Sequence, residues 1–296
     1  MQVWQALTLV VRWPNLVFIA LSQSLSWYFL VRPALASSPL FPWHQCLFVL
    51  STILIAAAGY MINDYFDWQI DTINKPQRVV IGKIIPRRTI ILWHVGLNVA
   101  ALILAFWAIS SNYSPRLLMW PCGSILLLWF YSTTFKRKLI IGNVVVALMT
   151  ALTVALPAII EFNKQWMLFP TGLRYRWFAY VLFAFLVTII REIVKDIEDI
   201  KGDSSQACQT MPLVWGINKA RYVVDGVWVL LLFGLMTMLT WTPSHETIQH
   251  LGYGILLIPI PFLMVFMHKA KTSHEFKQVS RAIKGYTLLG ILTMMG

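Results

Sequence analysis

Negative charge is scarce in this 296-residue chain: twelve Asp and Glu stand against 24 Lys and Arg, and charged residues of both signs make up only 12% of the total. A soluble domain carries roughly a quarter of its residues as Asp, Glu, Lys or Arg, so the shortage excludes that class. Cysteine is rarer still. Cys46, Cys122 and Cys208 are odd in number, scattered and without metal-ligand spacing, which excludes a disulfide framework or zinc site and leaves them as apolar filler. The bulk of the chain is 58% hydrophobic, with 14 Trp, 17 Phe and 10 Tyr and a mean hydropathy of +0.67. That composition is one of an integral, multi-pass membrane protein.

Apolar stretches long enough to cross a ~30 Å hydrocarbon core at about 1.5 Å per residue recur between polar punctuation. They predict nine helices, near 14–34, 45–65, 89–110, 116–135, 142–161, 176–195, 220–241, 247–268 and 280–296. The fold expected is all-α, a single integral membrane domain over 1–296. Arg12 precedes the long run from Leu16 to Leu30, and no small-residue cleavage site precedes the second span, so the first segment reads as retained rather than as a signal peptide. Nineteen basic residues, among them Arg12, Lys136, Lys195, Lys277, Arg281 and Lys284, fall on one face; Arg32, Arg116, Lys164, Arg174 and Arg176 fall on the other. The bias predicts a cytoplasmic basic face and N-terminus. The net charge of +12 is then topology plus attraction to anionic lipid, and no nucleic-acid partner is implied.

Eight of the twelve acids fall in two short clusters, Asp64/Asp67/Asp71 and Glu192/Asp196/Glu198/Asp199/Asp203. In each, three aspartates repeat at i, i+3 and i+7, a spacing that places them within an arc of roughly 60° on one helix. Three carboxylates on so narrow a face repel one another, and Asp is a mediocre helix former. A hard divalent cation supplies a reason for the pattern, because oxygen ligands suit Mg²⁺, which bridges one or two carboxylates to a substrate's phosphates. The surroundings point to such a substrate. Asn74, Lys75, Pro76, Arg78, Gly82 and Lys83 follow the first cluster, and Tyr131 precedes Lys136, Arg137 and Lys138 after the fourth span. Metal between carboxylate and phosphate, with Arg and Lys on the remaining oxygens, makes the assembly attractive overall. Pro76 and Gly82 would shape the intervening loop.

The stretches that carry these residues resemble a known family. Asn63-Asp64-Tyr65-Phe66-Asp67-Trp68-Gln69-Ile70-Asp71 fits NDxxDxxxD, and Arg191 to Asp203 (REIVKDIEDIKGD) fits the second aspartate motif of the UbiA superfamily of intramembrane prenyltransferases. The likeness covers the whole chain. It implies a nine-helix horseshoe around a central cavity, capped by cytoplasmic loops and open laterally to lipid, with Mg²⁺ held between the two motifs, in a bacterial or archaeal cell membrane. The motifs look most like those of the geranylgeranylglyceryl phosphate geranylgeranyltransferases; the chain departs from many members in having Arg78-Val79 and Ile81-Gly82 where they carry an Arg-Pro pair and a small polar residue.

The activity the resemblance implies is transfer of a polyprenyl group from a prenyl diphosphate to a membrane-associated acceptor, with release of diphosphate. The acceptor is expected to be geranylgeranylglyceryl phosphate-like, and an aromatic quinone precursor is the alternative. Asn63, Asp67 and Asp71 would bind one Mg²⁺, Asp199 and Asp203 another, with Asp64 and Asp196 as ligands or supports; Asn74, Arg78, Lys83, Tyr131 and Lys136 would meet the diphosphate. Asp67, Asp71, Asp199, Asp203 and Lys136 carry the catalytic expectation. Tyr65, Phe66, Trp68 and Tyr131 are candidates to face the allylic cation by cation–π attraction, with interface anchoring the ordinary role of any one aromatic here. An ion-coupled transporter would place its carboxylates near the bilayer midplane at broken helices rather than at helix ends beside basic loops. A soluble isoprenyl diphosphate synthase would share the metal logic but is excluded by the membrane composition.

Overall fold

The computed structural model describes residues 3–35, 42–74, 76, 79–109, 114–206, 208–242 and 246–296. No strand forms among them; Ile81 and Ile85 make an isolated bridge. Helices α1 (Val3–Val10) and α2 (Trp13–Leu25) flank Arg12, and α2 runs on through a π turn and a 3-10 turn to Ala34. Helices α3 (Trp43–Phe66) and α4 (Trp68–Asn74) flank Asp67, and α5 (Arg87–Ile109) and α6 (Met119–Thr133) follow. A 3-10 turn, Phe135–Arg137, leads to α7 (Ile141–Glu161), and then come α8 (Thr171–Glu198) and the short α9 (Ile200–Ser205) and α10 (Met211–Val214). The chain closes with α11 (Ile217–Trp241), α12 (Thr247–Leu257), α13 (Pro259–Lys269) and α14 (Ser273–Leu292). Pro259 has no N–H to donate, which accounts for the break between α12 and α13.

Each of the nine expected spans falls on helix. Among the described residues seven helical segments are long and apolar enough to cross a membrane: Trp13–Ala34, Trp43–Phe66, Arg87–Ile109, Ile141–Glu161, Thr171–Glu198, Ile217–Trp241 and Thr247–Lys269. The other two differ for visible reasons. Helix α6 has 15 residues, and the first half of α14 carries His274, Glu275, Lys277 and Arg281. On α5, Leu92, Val95, Val99, Ile103 and Phe106 form a stripe in which each side chain is 51% to 71% exposed. Water would make so long an apolar stripe a liability; lipid does not. The chain is an integral membrane protein.

Because hydrocarbon rewards apolar burial far less than water does, helix association here rests on close packing and polar links. Helix α8 is the hub: Phe183, Val187, Ile190 and Val194 are buried against Val224 and Trp228 of α11 and Val279, Ile283 and Tyr286 of α14. Polar links join other pairs. The Ser26 hydroxyl donates to the Val154 carbonyl (2.7 Å), the Ser51 hydroxyl to the Ala101 carbonyl (2.8 Å), and His94 Nδ1 lies 2.9 Å from the Ala58 carbonyl. Such contacts average roughly 0.6 kcal/mol in membranes. Helix α2 packs on α3, α7 and α14, and α3 also packs on α5 and α6. Between these walls lies a cavity of about 680 Å³.

Candidate active site

Each aspartate motif straddles a bend. Helix α3 ends at Phe66, Asp67 takes φ −83° and ψ 0°, and α4 begins at Trp68. Helix α8 ends at Glu198, Asp199 takes φ −96° and ψ 8°, and α9 begins at Ile200. The continuous helical face expected for each cluster is therefore bent at its central aspartate. The i to i−4 ladder nevertheless survives in both: Asp67 N donates to Asn63 O and Asp71 N to Asp67 O, each at 2.9 Å, while Asp199 N donates to Lys195 O (2.9 Å) and Asp203 N to Asp199 O (3.2 Å). The bridge-region backbone turns the chain without losing helical phase. Both rows consequently still face the same space, and Asn63, Asp64, Asp67, Asp71, Asp199 and Asp203 all line the cavity.

The two motifs meet through the short helices rather than through α3 and α8. Helix α4 packs against α9, and Asn74 fastens them: its Nδ2 donates to the Asp199 carbonyl (3.0 Å) and its Oδ1 accepts from Gly202 N (2.8 Å). A Cβ on Gly202 would collide with the Asn74 amide. Asn74, expected on the diphosphate, thus spends both ends of its amide on backbone, joining the short extensions of α3 and α8.

Around Asp67 the polar atoms are close-set. Asp67 is 4% exposed, its Oδ2 accepts from Asn63 Nδ2 (2.6 Å), and the Lys136 ammonium pairs directly with the same oxygen. Burial opposes the charge on Lys136, but Asp67 outweighs it and raises the ammonium's pKa, so Lys136 stays cationic at neutral pH. Lys136 is delivered by the 3-10 turn after α6, and that turn lies on Gly142, where a Cβ would come within 3.0 Å of Lys136 Cα. Tyr131, one turn before it, and Lys136 itself both line the cavity. Asp196 accepts from Asn143 Nδ2 (2.8 Å). Asp64 is engaged by Arg12 at 2.6 Å, and Arg12 reaches it from a left-handed backbone conformation (φ 53°) between α1 and α2, a strained geometry for a non-glycine residue. Burial works against the guanidinium charge, and Asp64 more than compensates.

Other expected residues lie elsewhere. Arg78 and Lys75 fall outside the described residues. Lys83 is exposed in the Gly82 turn and does not line the cavity; the turn is held by burial of its apolar neighbours Val80, Ile81 and Ile85, which leaves Lys83 pointing to solvent. Tyr65 and Trp68 are covered by the Arg87 guanidinium at 4.6 and 5.6 Å, and Phe66 packs edge-on to Trp129 at 5.9 Å. Of the four aromatic candidates only Tyr131 lines the cavity, alongside Phe18 and Tyr60, which sequence reading passed over. Glu192, counted with the second cluster, is paired with Arg191 (3.1 Å) and Lys195 (2.8 Å). Cys208 is buried, and burial pushes its thiol pKa up, in keeping with an inert apolar role.

The donor set suits a hard cation. All donors are oxygens, and Asn63 Oδ1 is buried with no partner. Among the described residues no three of His, Cys, Asp and Glu converge on one point. Mg²⁺ commonly uses one or two carboxylates and completes its shell with water and substrate phosphate. Two facing rows fit that habit better than a closed cage would.

The comparisons with known proteins agree with this geometry. A digeranylgeranylglyceryl phosphate synthase from Thermococcus sibiricus is 35% identical over 213 residues, covering 72% of this chain and 68% of that protein. A solved digeranylgeranylglyceryl phosphate synthase structure superposes with a TM-score of 0.68 at 21% identity, over 98% of this chain and 96% of the other. A UbiA homologue from Archaeoglobus fulgidus bound to GPP and Mg²⁺ superposes with a TM-score of 0.63 at 13% identity, over 98% and 100%. These two share the fold. The model of the UbiA prenyltransferase family matches residues 6–288, and the chain belongs to that family.

Proposed function

We propose that the protein transfers a polyprenyl group from a prenyl diphosphate to an amphiphilic acceptor of the geranylgeranylglyceryl phosphate type, in a Mg²⁺-dependent reaction that releases diphosphate. One observation carries the reading: two carboxylate rows, joined by Asn74, line the same cavity as the apolar side chains of Phe48, Trp120, Leu128 and Leu156. The similarity to synthases of that name supports the acceptor.

The diphosphate head would sit between the rows and the tail among the apolar residues. Asn63, Asp67 and Asp71 would hold one Mg²⁺ and Asp199 and Asp203 another; bound there, the ions supply Lewis-acid neutralisation of the departing diphosphate. Asp64 and Asp196 support these rows, each oriented by its own partner, Arg12 and Asn143. Lys136 brings a permanent cation to the leaving group, and Asn74 positions both rows rather than touching substrate. The C1–O bond breaks with its electron pair on diphosphate, an acceptor hydroxyl oxygen donates a pair to C1, and the hydroxyl proton passes to the released diphosphate. Tyr131 offers its ring face to the allylic carbon, worth about 0.5 to 2 kcal/mol if placed over it, whereas the Tyr60 and Phe18 rings already carry Arg12 and Lys284.

Purified protein given C15 to C30 diphosphates and a panel of glycerol-phosphate and aromatic acceptors should yield masses of prenylated glycerol phosphates. Products from aromatic acceptors alone would replace the acceptor reading with the quinone-precursor one. The same reading places nine spans across the membrane with the N-terminus and site loops in the cytoplasm. Lys83→Cys should then label with a membrane-impermeant maleimide only after the cytoplasmic face is opened, and Lys164→Cys in intact cells; the reverse pattern would invert the topology.

A further inference from the structure

Positive charge in the cavity is not confined to Lys136. On α14, Lys277, Arg281 and Lys284 recur at four- and three-residue intervals and all line the cavity, with Ser280 and Thr287 on the same side. The adjacent face of the helix, with Phe276, Val279, Ile283 and Tyr286, is buried in the core, so the basic face is held toward the cavity by packing. Basic residues at a cytoplasmic helix end ordinarily extend outward to water and headgroups; these three line the cavity instead.

None of the three has a carboxylate within ion-pair distance among the described residues. The Lys284 ammonium donates to Asn15 Oδ1 at 2.6 Å and lies 4.9 Å from the centre of the Phe18 ring. Arg191, on the neighbouring helix α8 and also lining the cavity, shares Glu192 with Lys195, and its Nε is buried without a partner. One carboxylate therefore offsets two cations there, and three more cations line the same cavity. Gathering like charges in a partly enclosed space is unfavourable unless an anion joins them.

The cavity is thus lined by two kinds of charge. The carboxylate rows suit an anion only through a bridging cation, whereas the α14 face suits one directly. We propose that Lys277, Arg281 and Lys284, with Arg191, hold a phosphate monoester on the prenyl acceptor. This assignment rests on the prenyltransferase reading and deepens it. The number of donors decides the class: a carboxylate is satisfied by one Arg fork, while a dianionic phosphate with three terminal oxygens takes several charged donors.

The test compares geranylgeranylglyceryl phosphate with geranylgeranylglycerol as acceptors in neutral detergent, with geranylgeranyl diphosphate as donor. Lys284→Gln and Arg281→Gln should each raise the KM for the phosphate acceptor by about 10- to 100-fold, the usual weight of a charge-assisted hydrogen bond. The KM for the donor should stay within about two-fold, Lys284→Arg should recover most of the loss, and the phosphate-free alcohol should be a poor acceptor that neither variant worsens. Arg281 is exposed, so its variant keeps the test valid if Lys284→Gln does not fold. Wild-type use of the phosphate acceptor with unchanged KM in both variants would overturn the subsite alone. Equal rises for donor and acceptor would do the same, assigning these cations to the diphosphate, and so would equal use of both acceptors by the wild type. Activity with aromatic acceptors only would overturn the subsite together with the acceptor reading. If added phosphatidylglycerol vesicles inhibit the wild type competitively with the acceptor and leave Lys284→Gln unaffected, the same face takes a lipid phosphodiester, and its assignment to the acceptor's monoester falls.

Discussion

Asp67→Ala should lower the turnover of diphosphate release by at least about 10³-fold, the scale on which loss of a preorganised electrostatic group acts. Asp67 sits at the bend between α3 and α4, nearly buried, and one of its oxygens takes both the Asn63 amide and the Lys136 ammonium. Removing it leaves the carboxylate row without its central member and Lys136 without its counter-charge. A buried pair broken on one side costs about 3 to 5 kcal/mol; with Lys136 only partly enclosed, the stability loss should fall below that range. Asp67→Asn separates the two effects. The amide retains the size and the hydrogen bond with Asn63 but not the charge, so its melting temperature should lie nearer wild type while its activity stays as low as that of the alanine variant. Chelation by EDTA should silence the wild type and added Mg²⁺ should restore it, whereas excess Mg²⁺ should rescue neither variant. Near wild-type turnover in Asp67→Asn would refute the metal-bridging role.

Gly202→Ala should reduce turnover by about 10²-fold, the penalty expected when reacting groups are misplaced by around an ångström. The added methyl has nowhere to go, because the Asn74 amide occupies the space and is bonded to the Gly202 nitrogen and the Asp199 carbonyl. Asn74 must swing away and the α4–α9 contact must loosen, which separates Asp71 from Asp203 without changing either. Asn74→Ala should give a similar loss by deleting the fastener directly. The double variant should be hardly worse than either single one, since both break the same joint. A second signature distinguishes positioning from chemistry: the Mg²⁺ concentration for half-maximal rate should rise in both variants, and high Mg²⁺ should recover part of the activity. Fully additive losses would show that Gly202 and Asn74 act separately.

Much of this was legible along the chain. The membrane class follows from composition, and seven of the nine expected spans coincide with helices long and apolar enough to cross a membrane, because apolar length is a local property that needs no knowledge of neighbours. The aspartate rows were legible for a related reason: i, i+3 and i+7 spacing survives the bends at Asp67 and Asp199, whose helical hydrogen bonds continue on either side. Lys136 and Tyr131 do line the cavity.

The charge partners were not legible, because they join residues far apart in sequence. Asp64 pairs with Arg12 52 positions away, Asp196 accepts from Asn143 53 positions away, and Asn74 spans 125 positions to the Asp199 carbonyl. Lys277, Arg281 and Lys284 were counted only as cytoplasmic charge, since a one-dimensional tally of Lys and Arg cannot separate a side chain facing headgroups from one facing a cavity. Lys83 shows the converse: it stands beside the motif in sequence, yet burial of Ile81 and Ile85 turns it to solvent.

Composition and period, both local, determined that this chain is a helical membrane protein with two carboxylate rows. Which cations face those rows was decided by the turn before α7 and the corner between α1 and α2; which amide ties them together and which basic face lines the cavity were decided by the packing of α4 on α9 and of α14 on α8. Those contacts arise only once helices distant in sequence share a wall, and the free energy of a charge depends on what stands opposite it.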